Sequence, residues 1–288
     1  MSNKEIIQQL NALDLSTYPY DKVLELVDQF QPKVLTLTLD PIYIIERLRP
    51  DENVFKREEM SYRPASMNTK PQRATLPGKT AFYGTLCHIN DPLTNNRMMA
   101  LSEASHLFRK GLSAEGTETY TISRWISKTP LRLAVFADKT VFPQAGNNAL
   151  LQSAKQAMSE KKTFLDDVFQ FDDYTRYVTE QFAKPVNNDY EYLITATVAD
   201  RLMYASKLDG LLYPSVQCQG EYGMNIALKP SVADRSLVLQ QAHELQYIQK
   251  DGRGSLNFTK HFVPGDHDAN GFKNWTYTEI GDTTENLR

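Results

Sequence analysis

The sequence predicts a chain of both strands and helices, on three observations. Segments alternating every second residue, KVLTLTLD (33–40), TETYTISRWI (117–126) and LRLAVFA (131–137), flank a strand, loop and helix at Lys79–Ser105. From Asn147 to Ser206 the apolar period becomes helical, and strand-like runs then return at Leu211–Val216 and Asn225–Leu228. A helical block is thus set between strands.

Taken in order, Ile6, Ile7 and Leu10 and then Val23, Leu24, Val27 and Phe30 predict two amphipathic helices joined by a turn at Ser16–Pro19. Lys33–Asp40 is a strand stopped by Pro41, and Ile42–Arg49 is a second. In that second strand Ile45, Arg47 and Arg49 share one face, and Ile44, Glu46 and Leu48 share the other. Residues 51–76 are polar and turn-rich, without sustained periodicity, and a long loop of that kind often borders a site.

Thr80, Phe82 and Tyr83 favour extension, Asn90–Pro92 breaks it, and Arg97 onward is rich in helix formers. On that helix Ala100, Leu101, Ala104, Leu107 and Phe108 make one apolar stripe with Glu103 at its edge. Three helical elements are expected at Leu150–Met158, Phe164–Phe182 and Tyr190–Tyr204. Ser236–Gln249 and Leu256–Val263 form a hairpin closed by Asp251–Gly254, and the polar C-terminal residues are expected to be loosely held.

Composition narrows the function classes. The chain has 288 residues, a net charge of −3 and mixed charge runs, so it has no basic field to collect nucleic acid. Cys87 and Cys218 show no C-x-x-C spacing, and the first residues lack a secretory apolar stretch, so a soluble cytoplasmic protein with no membrane span is expected. The five histidines show no metal-binding spacing, and no dinucleotide-binding glycine fingerprint is present. Neither a metal nor a redox cofactor is therefore expected.

Six side chains stand out: Arg47, Arg49, Arg73, Tyr83, Glu103 and Ser215. They lie in E-R-L-R-P (46–50), Q-R-A-T (72–75) followed by Gly78, A-F-Y-G (81–84), A-L-S-E-A (100–104), and D-G-L-L-Y-P-S-V (209–216) with G-M-N-I-A-L (223–228). This series resembles the RES-domain family, named for its Arg, Glu and Ser. The resemblance runs with a gap from about Tyr43 to Leu228, the helical block 147–206 being read as an insertion. Of the two strand arginines, Arg47 is taken as the family residue on the Arg-x-Arg pattern.

The resemblance implies an α+β fold related to ADP-ribosyltransferases, with a central split, mixed sheet. It also implies NAD+ as substrate and a toxin role beside a helix-turn-helix antitoxin. The domain reading is then an N-terminal helical extension (1–32), a RES-like catalytic domain (33–264) with the insertion, and a polar tail (265–288). Glu103, Arg47 and Ser215 are the catalytic candidates, and Arg73, Tyr83 and Arg49 the substrate-binding ones.

The residue types suit that chemistry. Loss of nicotinamide from NAD+ passes through an oxocarbenium-like sugar, which a carboxylate such as Glu103 stabilises. Planar guanidinium forks suit diphosphate oxygens, and the Tyr83 ring can stack on a flat base. Ser215 can hydrogen-bond the nicotinamide or ribose, and no His–carboxylate pair is placed to make it a nucleophile. The acceptor stays open among phosphate, with Arg49 or Arg63 as added cation, water, and a protein side chain, which would make an ADP-ribosyltransferase. A non-catalytic nucleotide- or partner-binding module is the remaining alternative.

Overall fold

The computed structural model describes residues 1–30, 34–50, 54, 57–88, 96–110, 113–137, 141, 173–205, 207–215, 224–264 and 275–287. The helices are α1 (Asn3–Asn11), α2 (Tyr20–Val27), α3 (Arg57–Met60), α4 (Asn96–Ala104), α5 (His106–Arg109), α6 (Asp173–Ala183), α7 (Leu193–Ala205) and α8 (Pro230–Ser236). The strands are β1 (Leu35–Leu39), β2 (Tyr43–Arg49), β3 (Phe82–His88), β4 (Gly116–Ser127) and β5 (Leu131–Val135), followed by β6 (Gly210–Pro214), β7 (Met224–Leu228), β8 (Leu237–Lys250), β9 (Arg253–Pro264) and β10 (Trp275–Leu287).

They form one mixed sheet in the order β1-β5-β6-β7-β3-β2-β4-β8-β9-β10. Among the described ladders only β5 and β6 run parallel. The α+β expectation holds, and apolar layers cover both faces of the sheet's centre. Leu211 and Tyr213 of β6 join a core built from α1, α2, α6 and α7, with Ile6, Leu10, Leu26, Phe182 and Ala199. Leu212, between them, joins the opposite core with Phe82, Trp125, Ile226 and Val232. A strand buried on both faces reads as a continuous apolar run, as LLYP does.

Local chemistry explains the element ends. Ser2 and Glu5 make a capping box on α1, the Glu5 carboxylate accepting from the Ser2 amide at 2.7 Å. Asp251 (φ 52°) and Gly252 (φ 69°) are two consecutive left-handed residues that close the β8–β9 hairpin.

Three expectations differ from the structure. The stripe from Ala100 to Phe108 does not lie on one helix. Ser105 ends α4 and caps α5, its Oγ accepting from the Phe108 amide at 2.9 Å. The loop 51–76 contains α3 and is clamped by Asn68, whose Nδ2 donates to Leu76 O at 2.9 Å and Lys79 O at 3.0 Å. The polar stretch expected as a loose tail includes β10, paired antiparallel with β9 along most of its length, because main-chain hydrogen bonding needs no apolar pattern. The predicted helix Leu150–Met158 and the start of Phe164–Phe182 lie outside the described residues.

Candidate active site

A fork in the sheet makes the site. β2 and β3 pair from Tyr43↔His88 to Glu46↔Thr85 and then part. β2 continues through Arg47, Leu48 and Arg49 against Ser123, Ile122 and Thr121 of β4, while β3 follows β7 from Leu86↔Met224 to Phe82↔Leu228. Gly84 sits where they separate. A Cβ there would lie 2.5 Å from Ile45 Cγ2 and 3.0 Å from Glu46 O, so the strands approach too closely for a side chain.

Arg47 bridges the opening, its Nη1 donating to Tyr83 O at 2.7 Å and its guanidinium lying 5.6 Å from the Phe82 ring centre. α4 packs across β2 and β3 and brings Glu103 down to the open side.

Glu103 is held by two donors from strands that arrive much later in the chain. Ser215 Oγ donates to Oε1 at 2.5 Å and Asn225 Nδ2 donates to the same oxygen at 3.0 Å. Ser215 is fully buried just beyond β6, and Asn225 is buried on β7. The Glu103 side chain is half-buried, and no described residue bonds its Oε2. One oxygen is fixed, and the other is left to the hollow that Glu103 lines with Arg47, Tyr83, Thr85, Tyr213 and Asn225. This hollow has a volume of about 220 Å³.

A second hollow of about 200 Å³ adjoins it and shares Arg47, Leu48 and Tyr83 in its lining. Its wall adds Arg49 and Arg63, with Asn68, Gln72 and Thr80 as neutral polar groups. Burial, and then the repulsion of Arg49 and Arg63, push the Arg47 guanidinium down from 12.5 to about 9. Arg47 Nε is buried without a partner among the described residues. A cation crowded by cations, with a buried donor unmet, is an arrangement that an anion relieves.

Tyr83 lines both hollows, and its hydroxyl fastens the preceding loop. It accepts from the Ala74 amide at 3.1 Å and is hydrogen-bonded to Thr75 Oγ1 at 3.1 Å. Burial pushes the phenol up to about 12, so it remains neutral and hydrogen-bonded.

Arg73 lies elsewhere. Its Nη1 donates to Phe182 O at the end of α6, its Nη2 donates to Tyr192 Oη at 3.2 Å, and the guanidinium sits 4.9 Å from the Tyr192 ring centre. It ties the loop to the helical block and lines neither hollow. The structure thus brings Arg47, Tyr83, Glu103 and Ser215 together, sets Arg49 in the adjoining hollow, and leaves Arg73 behind the Tyr83 wall.

Sequence reasoning missed Asn225. It stands in the NIAL run already singled out, where a polar residue opens an otherwise apolar buried strand. Among the described residues no helix is long and apolar enough to cross a membrane.

The fold and the cleft define an α+β protein with an anchored carboxylate that shares a hollow with Arg47 at a split in its sheet. Residues 143–248 match the RES domain. The matched stretch covers α6, α7, Ser215 and Asn225, while Arg47, Tyr83 and Glu103 precede it. No curated protein matches the chain.

Proposed function

We propose that the cleft binds NAD+ and breaks its nicotinamide–ribose bond, so that the protein acts as a toxin by draining the cofactor. RES domains are NAD-related, toxin-type domains. The observation that carries the reading is the Glu103 carboxylate pinned by Ser215 and Asn225 in the hollow that Arg47 and Tyr83 also line.

Breaking the bond sends its electron pair to the nicotinamide ring, which leaves neutral, while positive charge develops on the ribose. Glu103 Oε2 faces that charge. A preorganised carboxylate stabilises it by on the order of 3 kcal/mol without reorganising during the reaction. Ser215 and Asn225 hold the carboxylate, and the buried Ser215 is an anchor rather than a nucleophile. Arg47 takes an oxygen of the diphosphate, and the Tyr83 ring forms the wall between the two ends of the dinucleotide.

An oxygen nucleophile then bonds to the vacated anomeric carbon. Arg49 and Arg63 in the adjoining hollow favour phosphate over water as that acceptor. The helical block would serve as the docking face for an antitoxin.

Mass spectrometry of the products, with and without added phosphate, tests the reaction. Phosphorolysis gives ADP-ribose phosphorylated at the anomeric carbon only when phosphate is present. ADP-ribose under both conditions makes the protein a hydrolase, and label retained on a protein makes it a transferase. Intact NAD+ under all conditions overturns the reading.

A further inference from the structure

We infer that Glu46 is a second acid of the cleft, whose Oε2 accepts a hydrogen bond from a ring hydroxyl of the sugar held against Glu103. The substrate class is then a riboside with both ring hydroxyls free. This inference rests on the reading of the cleft as a site of NAD+ cleavage.

The sheet register sets the position. Glu46 pairs with Thr85, Thr85 with Asn225, and Asn225 with Tyr213, so the four side chains share one face of β2, β3, β7 and β6. All four line the hollow beneath Glu103. Glu46 is only 2% exposed, and Arg124 on β4 grips its Oε1 twice, through Nε at 3.0 Å and Nη2 at 2.7 Å. Oε2 is buried and has no partner among the described residues.

A buried carboxylate oxygen is nearly always hydrogen-bonded, so an orphaned one in the wall of a cleft marks a place for a donor supplied from outside. Arg124 already balances the charge, so Oε2 calls for a hydrogen-bond donor rather than a second cation. A compact neutral donor fits, which in a nucleotide is a sugar hydroxyl. A bound ribose would then be held between Glu103 and Glu46, and loss of either ring hydroxyl would break one of the contacts.

The test compares NAD+ with its two analogues that each lack one hydroxyl on the nicotinamide-side ribose, using the purified full chain and its Glu46→Gln variant. The variant is expected to lose about ten- to a hundredfold in kcat/KM on NAD+, the range for a charged hydrogen bond to substrate. One of the analogues should be turned over equally by both proteins, because the partner of Glu46 is already missing. If Glu46→Gln fails to fold, Glu46→Asp, which keeps the charge and shortens the reach, serves for the same comparison.

Unchanged turnover of NAD+ by the variant, or the same loss on NAD+ and on both analogues, overturns the inference while the proposed reaction stands. Absence of turnover by the unaltered protein overturns the proposed reaction and this inference together.

Discussion

Ser215 and Glu103 lie 112 residues apart in the chain and meet through a 2.5 Å hydrogen bond from the serine Oγ to Oε1 of the glutamate. The serine is fully buried, and its hydroxyl proton is committed to the acid it holds. Asn225 supports the same oxygen from the neighbouring strand. Fixing one oxygen with two donors leaves the carboxylate little freedom to turn, which is the condition for electrostatic preorganisation.

Ser215→Ala is therefore expected to lower kcat while KM stays within about twofold, and Asn225→Ala to do the same. Each loses a hydrogen bond to a charged group, on the order of 2 kcal/mol. Steady-state kinetics on NAD+ check this. Complete loss in Ser215→Ala, with a covalent adduct on the serine in the unaltered protein, would contradict the anchoring role.

Arg47 gives a dependence on pH. Its guanidinium titrates near 9 in the fold and at 12.5 when unperturbed, so between those values the unfolded chain binds more protons and stability rises with pH. Below about pH 9 the buried charge weighs fully against the fold unless an anion meets it. Millimolar pyrophosphate should then raise the unfolding midpoint at pH 7 by a few degrees, roughly 2–4 °C for each kcal/mol of binding linkage. The shift should shrink above pH 9 and disappear in Arg47→Ala. A pyrophosphate shift equal in both proteins would sever Arg47 from the anion.

Gly84→Ala tests the fork. The added methyl would meet Ile45 Cγ2 at 2.5 Å, against a β2–β3 ladder that ends one residue away. A cost of about 1–3 kcal/mol is expected from overpacking, with a raised KM because Arg47 and Tyr83 move apart. Denaturant unfolding alongside kinetics measures both. A variant as stable and as active as the unaltered protein would mean that the close approach is not needed.

Much of this was legible along the chain, because the signals involved are local. The alternation of TETYTISRWI, the Asp251–Gly252 turn and the opposed faces of β2 each depend on neighbours in sequence. What stayed hidden depends on register between strands distant in sequence. Asn225 and Glu46 gain their meaning only when β7 and β2 are both laid beside β3. Arg73 is one more arginine upstream of the Tyr83 strand until the end of α6 arrives to take its guanidinium. The break at Ser105 was locally encoded, since a serine three residues before Phe108 is a capping signal, but the apolar stripe running through it outweighed that signal.

The central claim is that the free oxygen of Glu103 faces the ribose while the bond to nicotinamide breaks. The measurement that bears on it most directly is nicotinamide release from NAD+ by the purified protein and by Glu103→Gln, which keeps the side chain's shape and removes its charge. Release by the unaltered protein and a loss of about a hundredfold or more in the variant, with both unfolding at similar temperatures, is the predicted result. Equal release by the two proteins would contradict the account.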